Sequence, residues 1–584
     1  MAMEMEMEME AASSPPISRS KSRKRGGWRA IKYILGNESF EKLASMSLTA
    51  NITVYLRNKY NLSGIFLVNV VNIWNGSCNL LSTVGAIVSD AYLGRFLTLL
   101  CGTILSLLGI GALTITAAVP QLRPPPCPTE RLCIQPHKGQ LALLFISLIL
   151  VALGAGGIRP CNIAFGADQF DTSTNKGRIQ LQSFFNWWYF SFTIALIIAL
   201  TGVVYVQTNI SWSIGFAIPT ACFALSTAVF WFGRHTYLYK SPEGSVFVDM
   251  AKVVVAAFRR RKADLKLVHE PTLYNPSGDI AWEARKLVRT DKFGFFDRAA
   301  VVTDPSEIDA QGLAVDNWKL CSVQQVENLK CVLGVAPVWL SGIFCFVVMD
   351  QQSTYGILQA IQTDRSIGRH FTIPPGWIGI TSMVTLTIWI LIYEQLYIRI
   401  VKKVVKRDSR LTMQQRISVG IIMSILCMFV AGTVEKHRRA SAVKNGTFSS
   451  PLHVTFLFPQ FALSGLTEAF AAVALLEFYT LKLPQSLRSV AGAIFFVSLS
   501  IGSYLSSLIV NVVHSATGGK NRTPWLGGPD LNMNRLDNYY YILGGLGLIN
   551  FVYFIFFARK YLPSGEDENV ERNGADPNRT SIVA

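Results

Sequence analysis

Charge is what this chain has least of. Only 16% of its 584 residues are Asp, Glu, Lys or Arg, while half are hydrophobic. A soluble protein of this length carries charge on roughly a quarter of its residues. The deficit therefore excludes an ordinary soluble globule. The seven histidines show no metal-ligand spacing, so no resident metal is expected. A Gly-x4-Gly-Lys-Ser/Thr phosphate loop is absent, as are an HxxxD acyltransferase motif and any nucleophile–base pair within the apolar blocks. Neither enzyme chemistry nor a cofactor is expected. No short apolar core with a small-residue cleavage site follows the basic run at 19–29 (Lys21, Arg23, Lys24 and Arg25 among it), which predicts a signal anchor rather than a cleaved signal peptide. Most of the ten cysteines lie in apolar blocks, where they act as small hydrophobes. Cys127 and Cys133 differ: they share a Pro-rich loop and can form a disulfide if it faces an oxidising compartment.

What is abundant is long apolar runs, each close to the ~20 residues that span a bilayer. Twelve are counted, at 43–60, 65–88, 96–119, 140–162, 183–206 and 211–233, then 329–350, 376–398, 414–434, 452–480, 488–513 and 538–561. Six spans, a polar linker and six more predict an all-α integral membrane protein with the major-facilitator fold, 12 transmembrane helices in two six-helix bundles. The expected divisions are a disordered basic tail (1–36), an N-terminal bundle (37–233), a linker (234–328), a C-terminal bundle (329–562) and a disordered tail (563–584).

The net charge of +17 raises nucleic-acid binding, but the basic residues fall in loops between apolar runs, as membrane topology requires. Arg95, Lys176 and Arg178, the linker, Lys402, Lys403, Lys406, Arg407 and Arg410, and then Lys482 and Arg488 share one side. Both termini are thereby expected in the cytosol. Lys436, Arg438 and Arg439 disagree and would face outward, along with the Cys127/Cys133 loop and the sequons at Asn445 and Asn521. In the linker, Val246, Phe247, Met250, Val253, Val254, Ala257 and Phe258 recur at helical spacing. That amphipathic helix lies either on the membrane face or across the bundles, or else packs on a cytosolic mini-domain. The rest of the linker reads as irregular polar chain.

Ionisable groups are expensive in a bilayer and mark function by default. Glu38, Glu41 and Lys42 share one face where the first apolar helix begins. Arg159 sits in Gly154-Ala155-Gly156-Gly157-Ile158-Arg159-Pro160 and needs an anionic partner. Glu468, in the tenth span, is the candidate, so a bridge would join the two halves and open when Glu468 is protonated. Glu477, nearer the cytosolic end, reads as solvated. Asp90, Gly94 and Arg95 occupy a short loop and form a conformational latch. Trp188 or Tyr189 can face a cavity, whereas Trp187 suits an interfacial belt.

Together, Glu38–Lys42, the Asp90–Arg95 loop, the Gly154–Pro160 run, Phe165-Gly166-Ala167-Asp168-Gln169-Phe170 and Phe184-Phe185-Asn186-Trp187 resemble the plant nitrate/peptide transporter family, part of the proton-dependent oligopeptide transporters. Gly27-Trp28-Arg29-Ala30-Ile31 and the stretch 37–46 are most similar to subfamily two, eighth group. The resemblance implies proton coupling at Glu38, Glu41 and Lys42 and an inter-bundle bridge at Arg159 and Glu468. It also places Met349 where a nitrate transporter of the family has a nitrate-binding histidine, with Gln352 beside it in the pocket. A thioether is a poor nitrate ligand. Thr98 falls where that transporter carries a regulatory phosphothreonine, which makes a kinase a candidate partner. The expectation is a proton-coupled symporter, working by alternating access, for a glycosylated plant metabolite such as a flavonoid glycoside. Low-affinity nitrate transport is the alternative, and a transporter-like sensor the second. Its partners are a small molecule, a proton and the bilayer, with no nucleic acid; the chain is monomeric or weakly dimeric, in the plasma membrane rather than the vacuolar membrane.

Overall fold

A computed structural model describes residues 26–562, apart from 128–132, 172–173, 243, 262–272, 277–286, 406–410, 485–486 and 520–522. The tails 1–25 and 563–584 and the Asn521 sequon lie outside the described residues, as do Lys406, Arg407 and Arg410. Nearly everything else is helix. Among the described residues, nine helices are long and apolar enough to cross a membrane, and the bent pair Val323–Gly334 and Ala336–Ile361 makes a tenth. One of the nine, Gly64–Ala118, is two spans. The glycines on either side of its midpoint meet the same neighbour: Cβ atoms added at Gly85 and Gly102 would lie against Gly156 O and Gly154 O. The chain reverses between them at Gly94, whose φ of 75° follows the π-helical turn Ser89–Leu93; a left-handed backbone of this kind favours glycine. The twelfth span is the helix Trp28–Asn58, which its own acids and lysine disqualify on hydropathy. The chain is a multi-pass membrane protein.

Two boundaries move. The first helix starts at Trp28 rather than near 43, inside the expected tail. Ala30, Ile31 and Ile34 are buried there, and Gly27 N donates to Gln169 O at 2.8 Å. The polar residues 37–42 conceal this apolar start in a hydropathy reading. The seventh span likewise begins inside the expected linker, at Val323, and bends by 45°.

The ends of the bundle are named here for the Cys127–Cys133 disulfide, which the structure forms, and for the linker. One hydrophobic core joins both halves at the disulfide end, running from Tyr55 and Tyr60 to Tyr539 and Tyr540. A second core contains the linker and the linker end of the C-terminal bundle. The second and eleventh spans are hydrogen-bonded along their length, with Asn69 to Asn511 at 2.9 Å and Ser77 to Tyr504 at 3.0 Å.

The linker is folded where it is described. Helix Val246–Arg259 packs on the 3-10 turn Gly294–Ala300 and on Val323–Gly334, the start of the seventh span. Lys330 binds Asp297 at 2.5 Å and Glu327 at 2.8 Å, with all three buried. The basic cluster that disagreed on topology is not a loop. The ninth helix runs on to Asn445, and Arg438, fully buried, forms a two-pronged pair with Glu435 at 2.8 Å on each prong.

Candidate functional site

The first helix carries its acids inward. Glu38 is fully buried and Glu41 nearly so. Lys42 Nζ lies 3.1 Å from Glu41 and 3.8 Å from Glu38. The amide of Asn162, on the fourth span, donates to Glu38. Helical spacing brings Glu38 and Lys42 over one another, and the fourth span reaches them because its glycines allow backbone-to-backbone packing. Arg159 stands one turn before Asn162 on the same helix. Two carboxylates therefore share the ammonium of Lys42. Protonating either carboxylate leaves that ammonium on a single anion.

The expected Arg159–Glu468 bridge is not made in this structure. Arg159 Nη1 instead donates to Asn79 Oδ1 at 2.7 Å, on the second span of its own bundle. Glu468 is partly exposed, without a hydrogen-bond or ion-pair partner among the described residues, and it opens the π-helical turn Glu468–Ala472. The guanidinium takes the neutral acceptor within reach. Glu477, read as solvated, pairs instead with Arg416.

The loop at Asp90 is more than its own residues. Arg95 reaches back to Asp90 at 3.7 Å and across to Asp168 at 2.5 Å, and Lys240 of the linker joins Asp168 at 2.8 Å. Asp168 stands at the end of the fourth-span helix. The sequence displays it in Phe165–Phe170 but not as the acid that receives both cations. Gly94 supplies the turn that aims Arg95.

The profile of the POT family matches residues 96–526. The chain belongs to the POT family. It is 57% identical over 554 residues to Protein NRT1/ PTR FAMILY 2.8 of Arabidopsis thaliana, covering 94% of this chain and 98% of that one. It is 41% identical to Protein NRT1/ PTR FAMILY 2.13 of the same plant, over 96% of this chain and 91% of the relative. The crystal structure of the POT family transporter PepTSo superposes with a TM-score of 0.65 at 18% identity, covering 91% of this chain and 98% of that one. That likeness shows the shared fold. Membership makes this chain a proton-coupled transporter and not an enzyme.

The remaining candidates within the POT fold are spread out. Met349 is half-buried against the linker-end core. Beside it Asp350 has Oδ2 buried without a hydrogen-bond partner among the described residues. Gln352 does not line an open pocket. It is 3% exposed, accepts from Gln460 at 3.1 Å, and belongs to a buried amide network that includes Gln359, Glu435 and Tyr540. Trp188 is half-buried and stacks on Phe192, whereas Tyr189 is 62% exposed. Thr98 is buried, and its hydroxyl donates to Gly94 O at 2.9 Å. Asn162 was missed in the sequence because an amide in an apolar helix carries no signal until its neighbour is known.

Proposed function

We propose that this POT-family member is a symporter that takes up a glycosylated plant metabolite, a flavonoid glycoside being the type case, by alternating access. The buried carboxylates Glu38 and Glu41, with Lys42 beside them and Arg159 on the neighbouring span, carry the proton-coupling part of this reading. With both carboxylates ionised the four charges cancel. A proton from the outer side removes one negative charge and makes Arg159 the surplus cation. Arg159 then exchanges Asn79 for a stronger partner, the carboxylate of Glu468 in the opposite bundle. This closes the linker end over loaded substrate or, reversed, opens it. The shared core at the disulfide end and the open Arg159–Glu468 pair support a state open toward the linker, which this reading assigns to the cytosol together with both termini. The plasma membrane is the proposed location.

The substrate class rests on Met349 and Asp350. A thioether and a carboxylate with one oxygen left unpaired disfavour a small inorganic anion, while an amphipathic glycoside offers an apolar ring and hydroxyl donors. Oocytes expressing the chain, clamped at acidic external pH and offered nitrate or flavonoid glycosides, test the choice. Inward current with a glycoside and none with nitrate is expected. Nitrate current without glycoside current would reverse the assignment.

A further inference from the structure

In the N-terminal bundle, Arg95 opens the third-span helix and binds Asp168 at the end of the fourth-span helix. Counting the same way in the C-terminal bundle leads to the ninth and tenth spans. There Arg416 lies in the first turns of Met413–Asn445 and binds Glu477 near the end of Val473–Lys482. The same bond thus ties the third helix to the fourth in each half. Its surroundings in the C-terminal half bring in the eighth span as well. Leu411 N donates to Tyr393 Oη at 3.1 Å, tying the start of the ninth helix to the eighth span, and Trp389 packs on Phe470 with ring centres 4.7 Å apart. Both flanking spans carry a π-helical turn at this level, Tyr393–Tyr397 and Glu468–Ala472. Such turns break the regular ladder and concentrate at functional sites.

Arg416–Glu477 differs from the Arg438–Glu435 pair of the same bundle in one respect. Arg438 and Glu435 are wholly enclosed, whereas the Arg416 and Glu477 side chains are 15% and 31% exposed. Opening the enclosed pair strands a charge. Opening the other, which already meets water, costs less.

We propose that Arg416–Glu477 is a second latch. It holds the linker ends of the eighth, ninth and tenth spans together and is released and remade in each transport cycle, as the counterpart of Arg95–Asp168. Both are positioning residues. The inference rests on the alternating-access reading, and its test does not depend on any substrate. Spin labels at Ile179→Cys and Ile400→Cys, one on each bundle at the linker end, report the separation of the bundles in a background lacking the exposed Cys101. Two distance populations are expected, and Glu477→Gln should change their ratio at least threefold. The charge swap Arg416→Glu/Glu477→Arg should restore the parent ratio. Should Glu477→Gln not fold, Glu477→Asp and Arg416→Lys keep the charges and alter the reach; a shifted ratio in either supports the latch. Parent-like ratios in every variant overturn it. A single population in the parent would overturn alternating access itself.

Discussion

Glu435 and Arg438 allow a prediction worked in energies. Both side chains are inaccessible to solvent. Glu435 Oε2 also accepts from the Gln359 amide at 2.8 Å, and Arg438 donates to Asn532 Oδ1 at 2.9 Å. Glu435→Leu therefore does two things. It strands the guanidinium, at a cost of about 3–5 kcal/mol, and it leaves the Gln359 amide unpaired, at about 1–3 kcal/mol. Adding Arg438→Met removes the first penalty and leaves the second, but it also takes the donor from Asn532 Oδ1 and Gln362 O, at about 1–3 kcal/mol. The double variant should thus be more stable than Glu435→Leu by roughly 2 kcal/mol, despite carrying one more substitution. Thermal unfolding of detergent-purified protein, followed by tryptophan fluorescence, reads the order directly: parent highest, double next, single lowest. A double variant that melts at or below Glu435→Leu would refute the claim that stranded charge dominates this site.

Three further outcomes are expected. Glu41→Gln should abolish uptake driven by a pH gradient at unchanged surface abundance, since Lys42 and Arg159 would then face one permanent anion; undiminished acid-stimulated uptake would contradict the coupling role. Gly85→Ala would place a Cβ 2.0 Å from Gly156 O, and overpacking against rigid backbone should cost about 1–3 kcal/mol or more, seen as a lower melting temperature. In the linker, burial raises the Glu307 carboxyl, but hydrogen bonds from Thr303 and Arg260 outweigh it and hold the group below the ordinary glutamate range. Its stabilisation is therefore present above pH ~4.3 and is lost as pH falls through the lowered value. Hydrogen exchange of the linker, corrected for intrinsic rates, should rise on acidification in the parent and change less in Glu307→Gln.

The spans were legible because long apolar runs announce themselves along the chain. Glu38, Glu41 and Lys42 were legible for a related reason: helical spacing places them on one face wherever the helix begins. The partners were not legible. Nothing local tells that Asn162 meets Glu38, or that Asp168 collects Arg95 and Lys240. Arg438 misled because a cation after an apolar run looks like a loop, when the helix continues and Glu435, one turn earlier, neutralises it. Arg159 and Glu468 misled differently. The residues were identified, yet which partner each takes depends on how far apart the bundles stand.

The stretch between Lys240 and Val246 sets a limit of another kind. Lys240 is fixed to the first bundle through Asp168, while Val246 is rooted in the core it shares with the second. Six residue steps separate them, and a fully drawn-out chain covers no more than ~20 Å over that count. The segment is a leash. However the halves rock, Asp168 and Val246 cannot part beyond that length and the reach of the Lys240 side chain unless Lys240 first lets go of Asp168.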